Sequence, residues 1–330
     1  MEIDREKFIR AVEAVLPALT KKEMFTQSNM LGIRPGHLVT YNDELSIRHD
    51  FPDIGAGEIA LDGVTLHDFL DHLTSETVQV EASDSELKIR SGRVRVALKT
   101  AALELPQFEV AGDEVELPET FRERIRMVSE VCATGTSRPA LTCVSVTGDW
   151  VEGSDGYRLV RMECDTSSPG FLLPAKLAVR VADYPVTRML SGNEWVHFVT
   201  ADNTSVSCRV ASGSYPDLTK VYDVVGKSFT LPATLRDVVD RASIFSRREN
   251  SRIDEEVRVE LSPNRVVIRA HNDSGTFEEI ARWAHSDVEA SFSIHSDFFR
   301  IALTHGTSCQ ISDSKIKFAG SDWKHVVALR

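Results

Sequence analysis

The sequence predicts an α+β protein made of three similar domains. Two patterns lead there: an amphipathic helix that recurs at near-equal spacing, and a second strand-turn-helix unit with alternating strands inside each interval. The length of 330 residues agrees, because one hydrophobic core seldom serves more than about 250–300 residues.

The first pattern reads IDREKFIRAVEAVL from Ile3, LPETFRERIRMVSEVC from Leu117 and LPATLRDVVDRASIF from Leu231. Phe8, Phe121 and Leu235 align, 113 and 114 residues apart, and apolar residues return at three- and four-residue steps, which is one face of a helix. The second pattern is EIALDGVTLHDFLDHL, GFLLPAKLAVRVADYPVTRML and SFSIHSDFFRIAL, each a strand turning into a helix. Alternating runs such as VQVEASDSELKIRSGRVRVAL follow. VELSPNRVVIRAHN, from Val259, reads as a hairpin turning at Ser-Pro-Asn. LELPQFEVAGDEVELP and YPDLTKVYDVVGKSFTLP carry the Pro, Gly and acidic residues of hand-over segments, which predicts domains over 1–115, 116–229 and 230–330. Each domain is expected to pack two helices on antiparallel strands.

Fifty acidic against 38 basic residues, a net charge of −12, argue against a protein that simply coats nucleic acid. A local basic face stays compatible with that balance. No apolar run reaches the roughly 18 residues of a membrane span, and the opening MEIDREKFIR is charged, so a cytoplasmic protein without a membrane is expected. The five cysteines, Cys132, Cys143, Cys164, Cys208 and Cys309, include no CxxC pair and suggest buried thiols rather than a disulfide framework or a zinc site. Asn203-Thr204-Ser205 and Asn272-Asp273-Ser274 match the glycosylation pattern, which carries little weight without secretion.

The sharpest enzyme-like feature is HDFLDH, where His67 with Asp71 and Asp68 with His72 stand four residues apart and can share a helix face. One helix supplies too few convergent ligands for a metal site, and a solvated polar face accounts for the pattern. No Gly-rich phosphate loop, nucleophile elbow or metalloprotease motif occurs. Neither catalysis nor a metal or other cofactor is expected.

SRPALTCVSVTGDWVEGSDGYRLV resembles the middle domain of the bacterial sliding clamp, the beta subunit of DNA polymerase III. That family carries an Asp-Gly-His-Arg-Leu turn; here Asp155, Gly156, Tyr157, Arg158 and Leu159 differ at one position of the five. LKIRSGRVRVALKTAALELPQF, GSYPDLTKV, RASIF, VVIRAHN and WKHVVAL extend the resemblance over nearly the whole chain, as in a divergent member. It implies the DNA-clamp fold, with two chains joined head to tail into a six-domain ring around duplex DNA. Such a ring takes DNA without sequence specificity and tethers the replicative DNA polymerase, a processivity role and not an enzymatic one. The implied partners are a second copy of the chain, duplex DNA, the polymerase catalytic subunit, a clamp loader and other proteins carrying a short hydrophobic peptide. The alternative is a clamp-like scaffold that binds protein partners without encircling DNA.

By position, the resemblance implies DNA contacts at Lys21, Lys22, Arg138 and Lys176, with Arg122 and Arg126 on the first helix of the second domain. Helices lining a hole can carry cations while the acid lies elsewhere, and phosphate contacts of this kind allow sliding. It implies a peptide groove walled by Leu141, Ser154, Gly156, Tyr157, Arg158 and Leu159 on one side and by Ser293, Ser296, Val326, Val327 and Ala328 on the other. It implies a dimer seam in which Leu105 and Phe108 face Ile244 and Phe245. Three departures stand out: Gly63-Val64-Thr65 replaces a basic pair, Asp223 stands where a proline is usual, and the chain ends in Ala328, Leu329 and Arg330 rather than Met-Pro-Met-Arg.

Overall fold

The computed structural model describes residues 1–55, 57–107, 109–135, 137–192, 194–248, 254–284 and 288–330. Six α-helices occur among them: α1 Arg5–Val15, α2 Gly63–Asp71, α3 Phe121–Ser129, α4 Ala175–Ala182, α5 Leu235–Ser246 and α6 Ser296–His305. Asp4 and Asp62 start α1 and α2 by accepting the N–H groups of Lys7 and Thr65, both at 2.9 Å. Each helix turns a row of apolar residues inward, Phe8, Val12 and Val15 on α1 and Leu235, Val238, Val239 and Ala242 on α5.

The element order repeats three times. A short strand leads into a helix and three strands, then a strand leads into a second helix and three more. The expected boundaries at 115 and 229 fall inside the strands Asp113–Glu116 and Lys227–Thr230, which open the second and third copies. The hairpin Glu256–Ser262 to Arg265–Asn272 turns at Pro263 and Asn264, with Asn264 at φ 64°. Pro fixes the first turn position and Asn tolerates the left-handed second.

By compactness the chain divides into two units, one of residues 1–126 and 165–212, the other of 127–164 and 213–330. The middle copy is shared between them. In the first unit its strands Val186–Ser191, Trp195–Thr200 and Thr204–Arg209 continue an antiparallel sheet formed by the first copy, with Val206 paired to Ile47 on Leu45–Asp50. In the second unit its strands Cys143–Val146, Trp150–Ser154 and Arg158–Glu163 continue a sheet of the third copy, through pairing with Trp323–Ala328.

Each unit also holds a four-stranded sheet, in the order Glu2–Asp4, Thr77–Ala82, Glu86–Ser91, Val94–Lys99 in the first and Gly275–Arg282, Arg265–Asn272, Glu256–Ser262, Ala290–His295 in the second. Phe8 stacks on Phe51 at 5.6 Å in the first unit, and Phe299 of α6 meets Phe318 at 6.1 Å in the second. All five cysteines are free and buried. Burial pushes the Cys132 thiol up to about 12, out of reach of thiolate chemistry near neutral pH. No helix among the described residues is long and apolar enough to cross a membrane.

Candidate partner-binding groove and basic surface

The Asp-Gly turn is held by a set of hydrogen bonds centred on Asp155 and Ser154. Asp155 accepts the N–H groups of Tyr157 at 2.9 Å and Arg158 at 3.0 Å, and its second oxygen accepts Nε of Arg158 at 2.9 Å. Ser154 Oγ donates to the Arg158 carbonyl and accepts the Gly156 N–H. Gly156 sits at φ 91°, where a side chain would strain the backbone. This bonding aims Tyr157 outward, half exposed at 50%, and holds Arg158 down, with its guanidinium 4.3 Å from the Phe298 ring.

The turn walls a groove of about 620 Å³ that lies wholly within the second unit. Its floor is Leu159 and Val326 on paired strands, with Leu141, Leu218 and Val221 beside them. Eight of the eleven residues expected there line it: Leu141, Ser154, Gly156, Tyr157, Arg158, Leu159, Val326 and Ala328.

Three do not. Val327 is fully buried in the core, because side chains along Trp323–Ala328 alternate and only Val326 and Ala328 face the groove. Ser296, also buried, bonds Ser246 Oγ at 2.8 Å and joins α6 to α5. Ser293 exchanges backbone hydrogen bonds with Arg330. In their place the groove takes Pro139 and Ala140 from the short helix Pro139–Thr142, Pro216 and Ser314 from connecting segments, and Lys315 from the start of the strand Lys315–Ala319. A second hollow of about 560 Å³ shares Tyr157, Arg158 and Ala328 with the groove and adds His295, Phe298 and Arg330.

Behind the floor lies a buried polar knot. Glu152 accepts Arg161 Nε at 2.7 Å and the Tyr222 hydroxyl at 2.8 Å. The Arg161 guanidinium lies between the Trp150 and Tyr222 rings, 4.3 and 4.6 Å from their centroids. The knot ties the strand Arg158–Glu163 to the short helix Thr219–Tyr222, which supplies Val221 to the groove. The only available signal for it in the sequence was a Glu and an Arg within alternating strands.

The expected DNA contacts divide into two groups. Lys21 and Lys22 are exposed, with no acidic partner among the described residues. Arg138 is exposed too, but it lines the groove. Lys176 pairs with Glu44 at 2.7 Å, Arg126 pairs with Asp183 at 2.7 Å, and Arg122 donates to the Ala182 carbonyl at the end of α4. Gly63, where a basic residue was expected, leaves no room for one: a Cβ there would lie 2.9 Å from Leu31 Cβ.

At the expected seam, Ile244 is 55% exposed and Phe245 is half-buried, stacked on Phe277 at 5.9 Å. Leu105 is a correction. It is 3% exposed and packed in the first unit's interior, and its carbonyl accepts Arg34 at 2.9 Å. Phe108 lies outside the described residues.

The HDFLDH residues His67, Asp68, Asp71 and His72 lie on a largely exposed face at the end of α2. His67 bonds Glu13 at 3.1 Å and Asp68 at 3.3 Å, and His72 bonds the Asp68 carbonyl. The Glu13 carboxylate raises the His67 pKa. No group of three or more His, Cys, Asp or Glu with metal-holding geometry occurs among the described residues.

The fold and groove define a clamp-type architecture. The DNA polymerase III beta subunit of Pseudomonas aeruginosa matches it at 19% identity, with a TM-score of 0.87 and coverage of 100% of this chain and 99% of that one. The DNA polymerase sliding clamp of Bacillus subtilis matches at 18% identity and TM-score 0.86, over 100% and 98% of the two chains. The beta subunit from the DNA polymerase of Streptococcus pyogenes matches at 16% and 0.87, over 100% and 99%. No family model and no curated protein matches the sequence. The chain therefore has the sliding-clamp fold from end to end.

Proposed function

We propose that the protein is a DNA sliding clamp, a ring-forming processivity factor without catalytic activity of its own. The observation that carries this reading is an apolar groove walled by the Asp155–Leu159 turn, on a chain with the sliding-clamp fold over its whole length. The groove takes a short hydrophobic peptide: Leu159, Val326 and Leu141 offer apolar contact, while Arg138 and Arg158 at its edge orient the ligand. The polymerase catalytic subunit, a clamp loader and other replication proteins would supply such peptides.

In this reading the chain consists of three domains, and two chains join head to tail into a six-domain ring. One side of the seam is α5 with the edge strand Gly275–Arg282, where Ile244 and Ile280 are exposed. Because Leu105 is core, the other side is better supplied by the edge strand Val94–Lys99 with its exposed Val94. Retention on DNA comes from closure, with Lys21 and Lys22 adding weak, salt-sensitive attraction.

The test is retention on circular DNA. Protein loaded onto nicked plasmid by a clamp loader stays with the circle through gel filtration at moderate salt and is lost when the circle is cut. Equal retention on circle and line with a cognate loader overturns encirclement and leaves a clamp-like scaffold for protein partners.

A further inference from the structure

The loop over residues 19–30 in the first unit displays two large apolar side chains at its tip. Met24 is 71% exposed and Phe25 52% exposed, and both follow directly on Lys21, Lys22 and Glu23. Such residues on a slack loop would fold back onto apolar surface. Here the backbone forbids it.

Ser28, fully buried, accepts the N–H groups of Met24 at 3.0 Å and Phe25 at 3.2 Å through its hydroxyl, and its own N–H donates to the Phe25 carbonyl. Thr20 bonds the Lys22 carbonyl at 2.6 Å and meets the Ser28 hydroxyl at 3.0 Å. Gln27, also buried, donates to the Ala102 carbonyl at 2.6 Å and accepts the Glu104 N–H at 2.8 Å, which fastens the loop to the body of the unit. Glu23, exposed like its neighbours, accepts the Gln27 N–H at 2.8 Å through Oε1, which holds its carboxylate against the loop backbone. The tip thus sets two ammonium groups with no acidic partner among the described residues beside an exposed thioether and an exposed aromatic ring.

That combination fits a ligand with a negative backbone and flat apolar faces. From these contacts we infer that the Met24–Phe25 tip stacks on an unpaired base of a DNA strand while Lys21 and Lys22 hold the adjoining phosphates. An unpaired base is the occupant because in duplex DNA both faces of each base are covered by its neighbours; only a single-stranded stretch leaves a face for Phe25. This inference rests on the DNA-binding reading proposed above.

Fluorescence anisotropy with the full chain tests it, using labelled oligothymidylate and an abasic oligonucleotide of equal length at low salt. Phe25→Ala weakens binding to oligothymidylate by roughly five-fold or more and leaves abasic binding unchanged. Lys21→Ala with Lys22→Ala weakens both and lowers the dependence on salt by about 0.7 per lost phosphate contact. Phe25→Trp retains binding, and its fluorescence is quenched by oligothymidylate but not by the abasic strand. Equal affinity of wild type and Phe25→Ala for oligothymidylate overturns the inference, as does absence of oligonucleotide binding by the wild type. It is also overturned if Phe25→Ala loses binding to anionic phospholipid vesicles and not to DNA. Base-dependent binding without topological retention on circular DNA would keep the tip and sink the clamp.

Discussion

Leu159 and Val326 stand opposite each other on neighbouring antiparallel strands and both face the groove, while Val327, one residue on, is buried in the core. Adjacent residues therefore carry separate duties, and substitutions separate them. Val327→Ala lowers unfolding free energy by about 1–3 kcal/mol and changes hydrophobic-peptide affinity less than two-fold by roughly any standard titration. Tyr157→Ala leaves stability nearly unchanged and weakens the peptide by about five-fold or more. Denaturant titration beside peptide anisotropy reads both, and equal effects of the two variants on affinity would refute the assignment of faces.

The Glu152 knot is a buried charge with two partners, so removing them has unequal cost. Tyr222→Phe deletes one hydrogen bond to a carboxylate, worth about 1.5–3 kcal/mol. Arg161→Ala leaves Glu152 without its counter-charge and costs about 3–5 kcal/mol. Chemical denaturation measures both, and a loss below about 0.5 kcal/mol for Arg161→Ala would mean the pair contributes nothing net.

His325 is fully buried beside His305, with ring centroids 5.3 Å apart, and neither of its ring nitrogens has a hydrogen-bond partner among the described residues. Burial first, then His305 and Arg158, hold its pKa well below the ordinary histidine value. The unfolded chain takes up that proton near pH 6.5, so the folded state loses stability as pH falls below about 6.5, by up to ~1.4 kcal/mol per pH unit for one proton. His325→Leu flattens the acid limb of stability against pH. His305 and His197, also shifted down by burial, keep part of the slope. His67 has the opposite sign: its bond to Glu13 contributes fully below the ordinary value and is lost as pH rises through the raised one. An unchanged acid limb in His325→Leu would show that the imidazole is not held neutral.

Ile244→Glu sets a charge on the exposed face of α5 without touching the core. The expected outcome is a folded monomer by sedimentation, with circular dichroism unchanged. A dimer of unaltered stability would move the seam away from α5.

Much of the architecture was legible in the sequence because helices and strands impose periods that a linear pattern can show. The three-residue and four-residue steps after Phe8, Phe121 and Leu235 found α1, α3 and α5, and the turn chemistry at Pro263-Asn264 found its hairpin. The groove was legible in part. Its first wall is a contiguous turn, and Leu141, Ser154 and Gly156 to Leu159 all line it. Its second wall, expected at Ser293, Ser296 and Val326 to Ala328, keeps only Val326 and Ala328, because a strand offers alternate residues to one face and the two serines are bonded elsewhere. Leu105 shows the same limit, since an apolar residue in a linker reads alike whether it faces a partner or its own core.

The sequence alone determined the repeat, the elements within it and the turn that walls the groove, because these depend on residues close together along the chain. Tertiary structure decided which sheet each half of the middle copy joins, which cations keep their charge free and which stand against Asp183 or Glu44, and how Ser28 and Gln27 hold Met24 and Phe25 outward. Apart from the local Ser28 bonds, those outcomes depend on pairings between residues dozens to well over a hundred positions apart. Burial and electrostatics act through space, so no local pattern records them.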